Sequence, residues 1–147
     1  MNPHEFGKSI HILLVEDNPG DVRLVREALK DRPIQNLSVV RDGEEAMDFL
    51  CRRKGFAGAL RPDLVLLDLN LPKKDGRDVL QEIKSDPALR RIPVVVWTTS
   101  DAEKDILKSY DLHANCYITK PADVDKFIAV IHSIVHFWVT IVKLPFP

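Results

Sequence analysis

Cysteine is scarce in this chain: there are two, Cys51 and Cys116, far apart and without the close spacing of a zinc or redox pair. That excludes a disulfide scaffold, fits a reducing cytoplasm, and leaves small-hydrophobe packing as the expected role of both. Glycine is thin as well, six in 147 residues, and no GxGxxG or GxxxxGK[ST] loop is present to cradle a nucleotide. An excess of one charge is missing: the net charge of -1 gives no basic footprint for a nucleic-acid backbone, so no direct nucleic-acid binding is expected. Residues 1–9 carry His4, Glu5 and Lys8 and lack the apolar core of a secretory leader. The most apolar stretch, residues 127–142, is shorter than a bilayer span and is interrupted by His132, Ser133, His136 and Thr140. It reads as a docked terminal helix plus tail, with no membrane partner.

What is there suits one globular domain. Hydrophobic residues at 45% and charged residues at 29% lie far from disordered or fibrous compositions. A chain of this size buries roughly two-thirds of its unfolded surface in a single core. We expect one domain over residues 1–147, with its core at about 8–138 and a tail at 139–147.

Short apolar runs alternate with longer amphipathic stretches, the pattern of repeated βα units around a parallel sheet buried on both faces. The runs at residues 10–15, 37–40, 64–67, 94–97 and 116–118 predict five strands. Helical spacing predicts helices over 21–31 (Val22, Val25, Ala28, Leu29, ended by Pro33), 43–53 (Ala46, Met47, Phe49, Leu50) and 76–84 (Val79, Leu80, Ile83). A weaker helix over 101–110 has only Ile106, Leu107 and Tyr110 as apolar anchors, and the longest runs over 122–138. Residues 52–62 form the one loose segment.

In open parallel α/β sheets ligands bind beyond the carboxyl ends of the strands, and right-handed crossovers bring those ends to one edge. Strand one ends in Glu16 and Asp17, strand three in Asp68, strand four in Thr98 and Thr99, and strand five in Thr119 and Lys120. Three carboxylates gathered there repel one another unless some protonate or a cation sits among them. Mg²⁺ is the expected cation, because it takes hard oxygen ligands and commonly pairs one or two carboxylates with phosphate oxygens. A metal, a carboxylate and a lysine are what phosphoryl transfer to an aspartate needs. Asp68 is the expected nucleophile, with Glu16 and Asp17 on one flank and Thr98 and Lys120 on the other.

The segments VEDN at 15–18, LLDLNLPKKDG at 66–76, VVVWTTS at 94–100 and CYITKP at 116–121 together resemble the receiver domain of response regulators, over about residues 8–138. The resemblance implies a flavodoxin-like (CheY-like) doubly wound α/β fold, a five-stranded parallel sheet of order 2-1-3-4-5 with five helices. It implies Mg²⁺ held by Asp17, Asp68 and the backbone carbonyl of Asn70, with Glu16 acting through water. It also implies that Lys120 bonds the phosphoryl group and precedes a cis peptide to Pro121. Thr98 and Tyr117 become a switch pair that reshapes the face of helix four, strand five and helix five. More narrowly, RPDLVLLDLNLPKKDGRDVL at 61–80, TTS at 98–100, and HFW and LPFP near the C-terminus are similar to the small single-domain regulators that partner phytochrome-type histidine kinases. That implies a histidine kinase as phosphodonor and a downstream protein or phosphotransfer partner for output.

The same residues have plainer readings. Glu16 and Asp17 could complement a helix dipole, Asp68 could cap a turn, Thr98 could be an ordinary strand residue, and Tyr117 a half-buried strand-edge aromatic. The conjunction of three acids with Lys120 at strand ends favours a site. His132 and His136 share a helix face without an acidic partner, so packed or surface roles are expected. A haloacid-dehalogenase-like phosphatase would want a second acid two residues after the nucleophile, where Asn70 stands, so turnover of external substrates is not expected. A nucleotide or flavin binder on this fold is the other alternative. Val130, Ile134, Phe137, Trp138 and Ile141 exceed what one helix face needs, which predicts a homodimer through the terminal helix and tail.

Overall fold

Five short strands, three of them dense in apolar residues, pair side by side in the computed structural model, which describes residues 10–30, 32 and 36–145. They are β1 (His11–Val15), β2 (Asn36–Val40), β3 (Leu64–Leu67), β4 (Val94–Thr98) and β5 (Cys116–Thr119). All are parallel, in the order β2-β1-β3-β4-β5. Between and after them come α1 (Pro19–Leu29), α2 (Gly43–Leu50), α3 (Gly76–Ser85), α4 (Glu103–Asp111) and α5 (Val124–Val135). The doubly wound order expected from the sequence is therefore present.

Side chains alternate across the sheet. Leu13, Val15, Val65, Leu67, Val94 and Val96 meet Ala46, Met47, Phe49 and Leu50 of α2 and Val79, Leu80 and Ile83 of α3. Ile12, Leu14, Leu64, Leu66, Val95 and Trp97 meet α1 and Phe127, Ile131, Ile134 and Val135 of α5. Burial on both faces is why β1, β3 and β4 read as dense apolar runs, and each fully buried large side chain contributes about 1.5–3 kcal/mol.

Four helices begin with a side-chain cap. Asn18 accepts from Gly20 and Asp21 backbone N–H groups, Asp42 from Glu45, Asp75 from Arg77 and Asp123 from Lys126. The Asn18 cap, with Pro19 in the first turn, starts α1 two residues before the expected Asp21. α4 differs: Ala102 precedes it and makes no side-chain cap.

Several expectations change. On α4 the inward residues are Asp105 and Ser109, whereas Leu107 and Tyr110 are 59% and 48% exposed. Asp105 turns inward because Arg77 and Ser100 supply partners there. Cys51 is exposed at the end of α2, while Cys116 packs at the edge of the second core as expected. α5 stops at Val135 and widens into a π-helical turn over His136–Ile141. The continuous helical run Val124–Ile141 is 18 residues with mean hydropathy 1.4, so by length and composition it reaches a bilayer span, contrary to the reading of residues 127–142. Its buried residues, Phe127, Ile131, Ile134 and Val135, lie on the sheet. Ile134 thus belongs to the core, not to an outer face. No cis peptide occurs among the described residues, so Lys120–Pro121 is trans, the isomer an X–Pro bond prefers by about 0.5–1 kcal/mol. The expected stop at Pro33, the leader reading of residues 1–9 and the end of LPFP fall outside the described residues.

Two glycines let the β3–α3 loop approach closely. A Cβ on Gly43 would lie 2.0 Å from the Lys74 carbonyl oxygen, and one on Gly76 would lie 2.2 Å from the Asp68 carbonyl oxygen. Both neighbours are backbone, so nothing flexible can yield. Gly76→Ala is therefore expected to destabilise the fold by about 1–3 kcal/mol in urea unfolding. An unchanged midpoint would mean that the loop does not press on α3.

Candidate functional site

The strand ends deliver the site through the sheet's own ladder. Asp68 N–H donates to the Val15 carbonyl at 3.1 Å, Glu16 N–H to Val40 at 3.0 Å, and Lys120 N–H to Thr98 at 2.7 Å. These bonds pin the backbone beneath each reactive side chain. Glu16, Asp68, Thr98 and Lys120 are buried and Asp17 is exposed, so the group forms a sunken floor with one acid at its mouth.

Carboxylate oxygens of Glu16, Asp17 and Asp68 lie within 4.8 Å of one another. The Lys120 ammonium reaches into this group, donating to Asp68 Oδ2 at 3.0 Å, to Asp21 Oδ2 at 3.0 Å, and to Glu16 Oε1. Burial pulls the Lys120 pKa down, but the Glu16 hydrogen bond and the charges of Asp68 and Glu16 push it above the ordinary lysine value. It stays an ammonium at neutral pH. Burial raises the Glu16 carboxyl to about 7, against the lowering influence of Lys120.

This donor set fits a small hard divalent cation. Three oxygen ligands converge, Asp17 faces solvent, and no sulfur or imidazole is among them. Asn70, the fourth expected ligand, is exposed beside the site, and its N–H donates to Asp68 Oδ1 at 3.3 Å.

Thr98 and Tyr117, the expected switch pair, meet through Ser100. Ser100 N–H donates to Thr98 Oγ1 at 3.4 Å, and the Tyr117 hydroxyl donates to the Ser100 carbonyl at 2.7 Å. The Tyr117 ring is half-buried against the first core. His132 Nε2 sits 2.9 Å from the Ala28 carbonyl and His136 is exposed, so neither joins the site.

Sequence reasoning missed Asp21. Its signal was an acid in the first turn of the helix that leaves the acidic strand end, four residues after Asp17. It also missed Arg77 and Asp105, whose pairing across α3 and α4 left no mark in local sequence.

Removing Lys120 leaves buried carboxylates with no countercharge. Lys120→Met is expected to cost about 3–5 kcal/mol in metal-free buffer, with Mg²⁺ restoring more stability to the variant than to the parent. Equal Mg²⁺ stabilisation in thermal melts of both would contradict this. A second outcome follows from Glu16. Its pKa is raised from 4.5 to about 7, so its stabilising proton is fully present below 4.5 and is lost as pH rises through 7. An ion that displaces that proton gains apparent affinity by up to about tenfold per pH unit below 7 and levels off above it. Calorimetric titration of Mg²⁺ at several pH values checks the slope, and a flat profile would contradict it.

Known proteins share this sequence pattern and fold. The family described as response regulator receiver domain matches residues 12–132. Response regulator Rcp1 of Synechocystis sp. is 52% identical over 135 residues, 91% of this chain and 92% of that protein. The crystal structure of Mn²⁺-bound Rcp1 superposes with a TM-score of 0.90 at 51% identity, covering 93% of this chain and 99% of that one. That of phosphorylated RcpA, a cyanobacterial phytochrome response regulator, gives 0.92 at 54% identity, with 95% and 100% covered. With that match and that site, the chain belongs to the response regulator receiver family.

Proposed function

We propose that the chain is a phosphoacceptor switch, a single receiver domain whose Asp68 takes a phosphoryl group from a phosphohistidine of a partner kinase. The observation that carries this reading is the Lys120 ammonium on Asp68 Oδ2, with the open acid Asp17 beside it. An Asp68 carboxylate oxygen attacks the phosphorus, and the P–N bond breaks with its electron pair returning to the imidazole. Lys120 holds Asp68 in place and offers positive charge to the incoming oxygens. Asp17, Asp68 and the Asn70 carbonyl would hold Mg²⁺, with Glu16 acting through water. When bound, the ion neutralises charge on the transferring phosphoryl group.

On this reading Thr98 responds to the new acyl phosphate, and Tyr117 follows through Ser100. The face of α4, β5 and α5 then changes shape for a downstream protein or phosphotransfer partner. A cytoplasmic, phytochrome-type histidine kinase is the proposed donor, supported by what RcpA is. Asn70 in place of a second acid keeps the protein from turning over external substrates.

Incubation with a small phosphodonor and Mg²⁺ is expected to give one adduct by intact mass, absent in Asp68→Asn. Multiple turnover would point to an enzyme, and no adduct would overturn the reading. A homodimer is also proposed, supported by Phe137 and Ile141 at 49% and 60% exposure on the terminal turn. Sedimentation is expected to show dimers that Ile141→Glu dissolves, and a monomer at high micromolar concentration would remove the proposal.

A further inference from the structure

The Lys120 ammonium has three protons to give. All three are taken, by Glu16 Oε1, by Asp68 Oδ2 at 3.0 Å and by Asp21 Oδ2 at 3.0 Å. A phosphoryl group joined to Asp68 brings strong acceptor oxygens into the same pocket. Lys120 can bond one of them at full strength only by releasing a carboxylate.

The three carboxylates differ in how firmly the fold holds them. The Glu16 side chain is 1% exposed, and its other oxygen accepts from the Asn18 N–H at 3.3 Å. The Asp68 side chain is 10% exposed, and its Oδ1 accepts from the Asn70 N–H at 3.3 Å. Deprived of Lys120, either would be a buried carboxylate short of countercharge, and Asp68 would also lose its aim. The Asp21 side chain is 22% exposed and makes no other hydrogen bond among the described residues. It stands in the first turn of α1, where its own N–H is fixed by Asn18 Oδ1 at 3.1 Å. At that place the helix terminus and water stabilise a carboxylate that has no lysine. Asp21 is therefore the partner that Lys120 releases at least cost.

We propose that Asp21 is a resident stand-in for the phosphoryl group: it holds the third Lys120 proton while Asp68 is a free carboxylate, hands it over when Asp68 is phosphorylated, and so sets how readily the transfer occurs. The inference rests on the phosphoacceptor reading and deepens it. Only hydrogen bonds change in the handover, and Asp21 stays a carboxylate throughout. A charged acceptor holds an ammonium roughly twice as strongly as a neutral one, so an amide or hydroxyl at this position leaves Lys120 freer to meet the incoming oxygens. Asp21 acts through Lys120 and is a positioning residue.

The test compares Asp21→Asn, Asp21→Ser and Asp21→Glu with the parent chain, using phosphoramidate at saturating Mg²⁺ and intact mass to follow the adduct. The Asn and Ser variants should be phosphorylated about three to ten times faster, and Asp21→Glu, which restores the charge, should fall between parent and Asp21→Asn. The gain should persist in about 1 M salt, where exposed charges are screened beyond about 3 Å. A gain that vanishes there is through-space repulsion of the donor and overturns the handover. With ¹⁵N-lysine and no metal, the Lys120 ammonium signal, identified by its loss in Lys120→Met, should show faster proton exchange with water in Asp21→Asn than in the parent. A faster phosphorylation rate with unaltered ammonium exchange also overturns the proposal, because the gain then does not pass through Lys120. An unchanged rate in both neutral variants leaves Asp21 as a plain first-turn acid, a slower one makes it the group that aims Lys120, and either result overturns the handover. Should one neutral variant fail to fold by circular dichroism, the other decides on the same readouts. If the parent gives no adduct, the phosphoacceptor reading fails and the handover with it, a result distinct from adducts that form at equal rates.

Discussion

The Lys120 ammonium among Glu16, Asp21 and Asp68 is the contact on which the rest of the site depends. It joins groups 104, 99 and 52 residues apart in sequence, tying the end of β5 to the ends of β1 and β3 across the intervening β4. A sheet that delivers several acids to one edge is electrostatically unfavourable unless positive charge comes with it. Here the fold supplies that charge itself, one residue beyond the last strand. The cluster can therefore form without an ion and still present an open acid, Asp17, toward solvent. Stability and receptivity share one lysine.

A second consequence concerns how unevenly the fold is held. The sheet and four capped helices bury branched apolar side chains on both faces, while α4 is uncapped and turns Asp105 and Ser109 inward. Apolar packing is hard to shift by small steps, whereas a helix held by a few polar bonds has alternatives of similar energy. α4 and the acidic pocket sit on neighbouring strand ends, with Ser100 between them. A charge added at one can then be felt at the other.

Much of this was legible in the sequence because its signals are local. β3 was read to the residue, and β1 and β4 to within one, since both-face burial writes itself as a dense apolar run. The pocket residues were legible because each ends a strand. What failed was non-local or polar. Leu107 and Tyr110 looked like anchors for α4 by composition, yet the inward face is decided by Arg77, one helix away. Asp21 was taken as a helix start and is a pocket acid. Ile134 counted toward an outer surface until α5 was seen lying on the sheet. The π-helical turn at His136–Ile141 left no periodicity to read.

The account stands on Asp17 and Asp68 sharing one hard cation beside Lys120. Anomalous scattering from crystals grown with Mn²⁺ tests this directly. The account predicts a single strong peak within about 2.0–2.5 Å of oxygens from both carboxylates, with Lys120 still on Asp68. A peak elsewhere, or the two carboxylates turned apart with no peak between them, would contradict it.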